Sequence, residues 1–562
     1  MHIILAREPE GTFAVRALGG ELTVPGALPA TELAEHAARW ERQLRPRWVF
    51  TSVEHDYPAL LDGGVRVRRC HDLALAEALL LANEERGEQS RTLAAAFARA
   101  RGLDPPAEAA PAGHDDHDQP ALFDPRGSGL PPGVTVADAA ELVFTEQCGR
   151  IERAAHPQRL RLLIAAESAS ALAAAEMSVD GLPWRADIHD KLLTELLGDR
   201  VPAGQRPRRL AELADRVQAA FGSRPVNPDH PGSVVRAFGR AGVQLPSARA
   251  HVLREVAHPA VAPLLEYKEL ARLHSAHGWA WLDAWVHGDR FRPVYVVGGV
   301  VSGRWASRGG AALQIPRTLR VCVRADPGWK LVVADAAQLE PRVLAALAGD
   351  RTLAEVAASA DLYDSLAEVM FAGARSDAAA GQDDRQKAKI AMLSAMYGGT
   401  AGEAASLLAL LRQRFPAAVS YVEHAALAGE RGQLVRSRLG RTSPPPSAAW
   451  RALTGGAGNE EGARRASRDW GRFTRNFVVQ ASAADWTAVL LASLRGRLPA
   501  PAHLVFFQHD EVIVHSPDHL AEQVRDCLAE SVREATERVF GAACPVRFPM
   551  TATVVDCYAD AK

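Results

Sequence analysis

Lys330-Leu-Val-Val-Ala-Asp335-Ala-Ala-Gln-Leu-Glu340-Pro-Arg342 sets an apolar run against a carboxylate and then against a helix-forming segment. Leu331, Val332 and Val333 are too apolar to face water, and residues 342–348 return to Ala and Leu, so the junction predicts a buried strand with Asp335 at its carboxyl end. Downstream, Leu504-Val-Phe-Phe-Gln-His509-Asp510-Glu511-Val-Ile-Val-His515 places two adjacent carboxylates between two apolar runs that read as the arms of a hairpin. Taken singly, such an acid is also what a helix cap or a turn requires. Taken together, the two stretches offer strand-borne acids able to share metal ions.

A third stretch narrows the chemistry. Arg385-Gln-Lys-Ala-Lys389-Ile-Ala-Met392-Leu393-Ser394-Ala-Met-Tyr397-Gly398 has helical composition, with Arg385, Lys389, Leu393 and Tyr397 spaced by four. Each step of four advances about 40° around a helix, so one face carries two cations, an apolar platform and an aromatic ring. That combination suits a triphosphate with a base beside it.

In this order the three stretches resemble motifs A, B and C of family A DNA polymerases, the DNA polymerase I type, from about residue 156 to the C-terminus. Supporting blocks are Asn227-Pro-Asp-His-Pro, Leu264-Leu-Glu-Tyr-Lys-Glu-Leu-Ala-Arg-Leu273, Ser302-Gly-Arg304, Leu313-Gln-Ile-Pro316 and Gln480-Ala-Ser-Ala-Ala-Asp485. The resemblance implies a multidomain α/β and α+β chain: an exonuclease-like α/β domain, then a right-hand polymerase with helical thumb, antiparallel-sheet palm and helical fingers. The expected divisions are 1–102 for the exonuclease-like domain, continuing to about 155 after a 103–133 linker, and 156–562 for the polymerase. Within the latter, the thumb takes about 156–290, the palm 291–344 and 440–562, and the fingers 345–439.

The implied reaction is attack of a primer 3′ oxygen on an α-phosphorus with two Mg²⁺ ions, for which Mn²⁺ substitutes. Asp335, Asp510 and the Ala336 backbone carbonyl are the expected metal ligands, with Glu511 either behind those ligands or close to the primer terminus. Arg385 and Lys389 would neutralise the leaving phosphates, while Leu393, Tyr397 and Gln338 complete the dNTP site. Glu340 resembles the family's sugar gate, which excludes a 2′-hydroxyl. Arg304 and Gln480 would reach minor-groove acceptors shared by every correct base pair, and His509 would hold a primer phosphate. The implied partners are primer-template DNA and dNTPs. A monomer is expected.

Departures from the family pattern shape the expected role. Leu393 stands where an aromatic ring is usual, flanked by Met392 and Ser394 in place of Asn and Gly; Ala336 and Ala337 replace bulkier residues, and an Asn is missing from Leu313-Gln-Ile-Pro316. A looser nucleotide site points to repair or another non-replicative role. In the N-terminal domain Asp56 matches the second exonuclease motif and Asp138 the third, but Ala6-Arg7-Glu8 stands where Asp-x-Glu should open the first. Exonuclease activity is therefore expected to be lost.

Bulk properties frame these readings. The chain has 562 residues, 48% of them hydrophobic, and a net charge of −2, so nucleic-acid binding must come from local clusters. One such cluster lies between Arg431 and Arg475, with ten arginines against three acids, a balance of 10 − 3 = +7. Six cysteines without C-x-x-C spacing, no cleavable leader pattern and no run of about twenty apolar residues lead to the expectation of a reduced, cytoplasmic setting with no membrane contact. Strands are expected at residues 2–6, 12–18, 48–51 and 65–69, and helices from 137 to 197 and on to 286. In the thumb, Lys268, Arg272 and His274 are expected to be available to phosphates. The His114-Asp-Asp-His117-Asp118 cluster reads as a solvated turn that has metal-ligand chemistry in principle. Two other functions stay open: a protein that binds primer-template without extending it, and a polymerase that retains 3′–5′ exonuclease activity.

Overall fold

The computed structural model describes the chain except residues 9, 20–23, 107–128, 203, 223–224, 309–313, 372–379, 400–401, 457–459 and 562. The His114–Asp118 cluster, most of the expected linker and Leu313 thus lie outside the described residues. The chain divides into two units: Met1–Val179 with Tyr295–Ala306 and Ala334–Ala552, and Asp180–Val294 with Ser307–Val333 and Thr553–Lys562.

The first unit begins with a five-stranded sheet, ordered Ala27–Leu28, Phe13–Leu18, His2–Arg7, Arg47–Phe50 and Cys70–Asp72. His2–Arg7 is central, pairing antiparallel on one side and parallel on the other. That is why Ile3, Ile4, Leu5 and Ala6 form an unbroken apolar run, all wholly buried. The strand expected at 65–69 is absent, and the ladder forms at Cys70–Asp72 instead. Val65 and Val67 do bury their side chains, but the Val67 amide donates to the Tyr57 hydroxyl at 3.2 Å rather than to a strand. The helix Val136–Arg153 opens on a capping box between Thr135 and Asp138 and packs Val136, Ala139, Ala140 and Val143 against Ile4 and Val49.

Two long helices run through the remainder of this unit, Pro157–Asp180 and Glu460–Arg497. Neither contains an unbroken run of about twenty apolar residues, but both contain 18-residue windows of high mean hydropathy. Those windows are 61% and 78% buried inside the fold, which makes them core helices of a large domain. Around Trp486 and Phe477 gathers a cluster that also takes in Val343, Leu366, Met396 and Val422, from the helices Leu339–Ala348, Leu362–Met370, Ala380–Tyr397 and Pro416–Glu430. All six cysteines are free thiols.

The apolar runs of the sequence build the expected strand and hairpin, within a four-stranded sheet ordered His503–Gln508, Glu511–Pro517, Trp329–Ala336 and Met550–Val555. Trp329–Ala336 is a strand with residues 331–334 buried, and His503–Gln508 and Glu511–Pro517 form an antiparallel hairpin. The hairpin turn is the pair His509-Asp510, with His509 at φ 57°, so Asp510 stands in the turn rather than on a strand.

The second unit is mainly helical. Arg208–Phe221, Pro231–Arg240 and Val261–His277 enclose a core of Val217, Val234, Phe238 and Leu264. A second cluster stacks Trp184, His189, Trp281 and Phe291 with centroids 4.9–5.9 Å apart. Asp229 ties the 227–231 block to Val261–His277 by accepting from Tyr267 Oη at 2.6 Å, and it also pairs with Arg206 at 2.8 Å. The division differs from the expected thumb limits of 156 and 290. Helix Pro157–Asp180 buries its apolar face in the first unit's core, so the break comes after Val179. His274 is not the free cation expected, because it is half-buried edge-on to Trp279 and burial lowers its pKa.

Candidate active site

Motif A reaches the site by a sharp exit from its strand. Gln338 takes a left-handed conformation, φ 54° and ψ 44°, and Leu339–Ala348 starts at once. Arg342 holds this corner. It is wholly buried and donates to the carbonyls of Ala337 (3.1 Å), Ala357 (2.7 Å), Ala360 (2.8 Å) and Arg547 (3.0 Å), and burial lowers its pKa to about 10. Arg342 also donates to Gln338 Oε1, as does the Leu362 amide, each at 3.0 Å. Gln338, expected at the nucleotide, therefore braces the corner with its side-chain oxygen.

Motifs A and C meet through the backbone. The Ala336 amide donates to the Asp510 carbonyl at 3.0 Å, and the Ala337 amide to that of Pro549 at 2.9 Å. Asp335 and Asp510 thus stand on adjoining backbones, both half-buried, with Glu511 buried at the first position of its strand. These are hard oxygen donors at a strand's carboxyl end and in the adjoining hairpin turn, the donor chemistry that Mg²⁺ prefers, so the residues present fit the implied ions. Among the described residues no three His, Cys, Asp or Glu side chains converge, so the protein would supply two or three oxygens and leave the rest to other ligands.

Beside these acids is a cavity of about 230 Å³, lined by Arg304, Glu340, Tyr363, Leu393, Thr487, His509 and Asp510 among others. Glu340 is its hub, accepting from Arg304 and from the Tyr397 hydroxyl. Burial and that hydrogen bond raise the Tyr397 pKa. Arg304 is accordingly engaged within the site rather than free to reach a groove. Gln480 lies half-buried on Glu460–Arg497, about one turn before the lining residues Ala483 and Ala484. His509 is exposed in the hairpin turn, and partial desolvation followed by the charge of Arg304 lowers its pKa.

On the motif B helix Ala380–Tyr397, Leu393 lines the cavity while Met392 and Ser394 turn into the core. Lys389, one turn before Leu393, is half-buried. Arg385 is not free for phosphate in this state. It pairs with Asp361 at 2.8 Å and Asp364 at 3.3 Å, and its guanidinium lies 5.7 Å from the Tyr363 ring centroid. Tyr363 is a site residue the sequence reading missed; burial and the nearby Glu340 charge raise its pKa to about 12. The available signal was Asp361, which caps Leu362–Met370 and sets Tyr363 in its first turn.

Three of the ten arginines in the 431–475 cluster are engaged internally, and the other seven are exposed. Arg441 is buried against Glu167 and Asp485, Arg438 donates to the Val539 carbonyl, and Arg475 to that of Ala395. The count of +7 therefore overstates the surface charge. The exposed members include Arg464, Arg465, Arg468 and Arg472 on Glu460–Arg497.

The exonuclease positions are taken up by structure. Asp56 is 1% exposed and accepts from the Arg7 amide (3.3 Å), the Thr51 amide (2.8 Å) and hydroxyl (2.7 Å), and the Ser52 amide (3.3 Å). Asp138 closes the capping box and pairs with Arg16 at 2.8 Å. Glu8 is half-buried near Val136 and Asp138, and burial raises its pKa. Ala6, where a first acid was sought, is wholly buried.

Residues 239–554 match the sequence profile of DNA polymerase family A, more than half of the chain. The chain belongs to that family. The relatives of this family A chain include the thermostable DNA polymerase I of Thermus filiformis, 28% identical over 300 residues (50% of this chain, 34% of the relative). That of Thermus aquaticus is 28% identical over 321 residues (53% and 36%), and DNA polymerase I of Chloroflexus aurantiacus 26% over 369 (58% and 38%). The chain thus spans little more than a third of these relatives' length. Its fold is that of the POL domain of Pol1 from M. smegmatis, solved as a complex with DNA primer-template and dNTP. The TM-score is 0.70 at 17% identity, covering 100% of this chain and 95% of that one.

Proposed function

We propose that this family A chain is a template-dependent DNA polymerase that adds deoxynucleotides to a primer 3′ end. The observation that supports the reading is the hydrogen bond from the Ala336 amide to the Asp510 carbonyl, which joins the backbones of motifs A and C beside the Glu340 cavity that Asp510 lines. Asp335, Asp510 and the Ala336 carbonyl would hold two Mg²⁺ ions. Bound there, such ions stabilise the attacking and leaving oxygens of an in-line displacement.

The chain's own side chains supply the rest. Lys389 and Arg385 balance phosphate charge, Arg385 exchanging Asp361 for phosphate oxygens. Leu393 and Tyr397 floor the base, and Glu340 leaves no room for a 2′-hydroxyl. Arg304 and Gln480 check the shape of the terminal pair, and His509 contacts the primer backbone. The partners are those bound by the mycobacterial domain, primer-template and dNTP. Burial of Ala6 and the four hydrogen bonds on Asp56 support loss of the exonuclease. The aliphatic Leu393 supports a repair or other non-replicative role. Free thiols agree with a cytoplasmic setting, and the chain acts as a monomer.

Incubation of the chain with a labelled primer-template and Mg²⁺, with and without dNTPs, tests the reading. Extension with dNTPs and an intact primer without them is expected. Binding without extension would make the chain a primer-template-binding protein, and shortening would show a retained nuclease.

A further inference from the structure

Arg441 is 6% exposed, and its guanidinium is held on two sides. Nε donates to Asp485 Oδ1 at 3.1 Å, and Nη1 and Nη2 donate to the two Glu167 oxygens at 3.3 and 2.9 Å. Ser437 Oγ donates to the second Asp485 oxygen at 2.5 Å and accepts the Arg441 amide at 2.9 Å. The helices Pro157–Asp180 and Glu460–Arg497 and the 437–441 turn meet in this one network.

Two glycines lie against it. A Cβ at Gly303 would fall 2.5 Å from Arg441 Cζ, and one at Gly298 would fall 2.6 Å from Glu167 Oε1; both residues have positive φ, 87° and 61°. Between them runs a tight turn, closed by Val300 N to Arg304 O at 3.0 Å and Gly303 N to Val300 O at 2.8 Å. The next residue, Arg304, enters the cavity and meets Glu340. On the other side of the network, Asp485 follows Ala484 and precedes Thr487, both of which line the same cavity. A buried ion pair adds little net stability, because desolvation offsets the attraction, whereas it fixes geometry closely.

We propose that Arg441 is a positioning residue of the nucleotide site. It is the floor on which the 298–304 turn rests, and it sets Arg304 in register with the cavity wall formed by residues 480–487. What Arg304 then does to a terminal base pair rests on the polymerase reading above.

Two variants test this, Arg441→Lys and Gly303→Ala, the second of which leaves every charge of the network in place. Amide exchange by mass spectrometry reads the turn whether or not the protein is a polymerase. Exchange across 298–304 should rise about tenfold in both variants while the His2–Arg7 strand is unchanged. Primer extension reads the consequence: kcat/KM from a matched terminus should fall on the order of ten- to a hundred-fold, with poorer discrimination against a mismatched one. Gly303→Ala added to Arg304→Ala should cause no further loss. Unaltered exchange at 298–304 in both variants, or additive losses, would overturn the proposal. Failure of the unmodified chain to extend any primer would overturn the polymerase reading instead, and the exchange result would still decide the role of Arg441.

Discussion

Tyr397 donates its hydroxyl hydrogen bond to Glu340, joining the last residue of the motif B helix to the first turn of the motif A helix beside the Glu340 cavity. Arg304 holds the other oxygen of the same carboxylate. Glu340 is thereby fixed from two sides, the condition for a side chain that excludes by shape.

Glu340→Ala is expected to open room for a 2′-hydroxyl. Ribonucleotide incorporation relative to deoxynucleotide should rise on the order of ten- to a hundred-fold, since a steric and polar conflict of a few kcal/mol is removed. Tyr397→Phe should give a smaller rise through a less constrained Glu340. Competition between a dNTP and its rNTP on one template measures both, and an unchanged ratio in Glu340→Ala would refute the gate.

Leu393 occupies the cavity wall with Tyr363 beside it. Leu393→Phe should lower the apparent KM for dNTPs about two- to fivefold, because an aromatic face gains stacking of about 0.5–1 kcal/mol. Steady-state extension over a range of dNTP concentrations reads this. A weaker dNTP dependence would mean that Leu393 is not the platform.

Asp56 is expected to matter for folding and not for cleavage. Removing its carboxylate leaves the partly buried amides of residues 7, 51 and 52 without this acceptor, at a cost on the order of 1–3 kcal/mol. Asp56→Ala should lower the melting temperature while a mismatched primer end stays intact before and after the change. Cleavage by the unmodified chain that disappears in the variant would contradict this.

Asp72, 2% exposed, has its pKa raised by burial to about 6, against backbone hydrogen bonds from Leu75 and Val53 that pull it down. A carboxyl whose folded pKa exceeds its unfolded value stabilises the fold at low pH and loses that contribution as pH rises through the folded value. Between pH 4 and pH 7 the unmodified chain should lose about 2–3 kcal/mol relative to Asp72→Asn, which does not titrate there. Denaturant melts of both proteins across that range measure the difference. A constant gap would show that Asp72 is ionised throughout.

The sequence made the strands around Asp335 and Asp510 legible because each apolar run flanking these acids is a strand of its own, so a local pattern reports a local structure. Helix periodicity likewise put Leu393, which lines the cavity, on one face with Tyr397, which reaches Glu340. What it could not report are long-range partners. Arg385 and Arg304 read as free cations, yet Asp361 and Glu340, 24 and 36 residues away, hold them. Arg441 read as surface charge, and its partner Glu167 lies 274 residues off. Residues 65–69 failed for a related reason: their alternation buries side chains, but a ladder also needs a neighbouring strand, and the Val67 amide bonds to Tyr57 instead.

The central claim is that Asp335 and Asp510 act together on a primer terminus. Single-turnover extension of a labelled primer with Mg²⁺ and the correct dNTP, run beside a primer-template affinity measurement, tests it in Asp335→Ala and in Asp510→Ala. Each variant should lose at least about a thousandfold in rate, the double variant should lose no more than either alone, and duplex affinity should stay within about threefold of the unmodified chain. Turnover retained in either single variant, with affinity intact, would contradict the account.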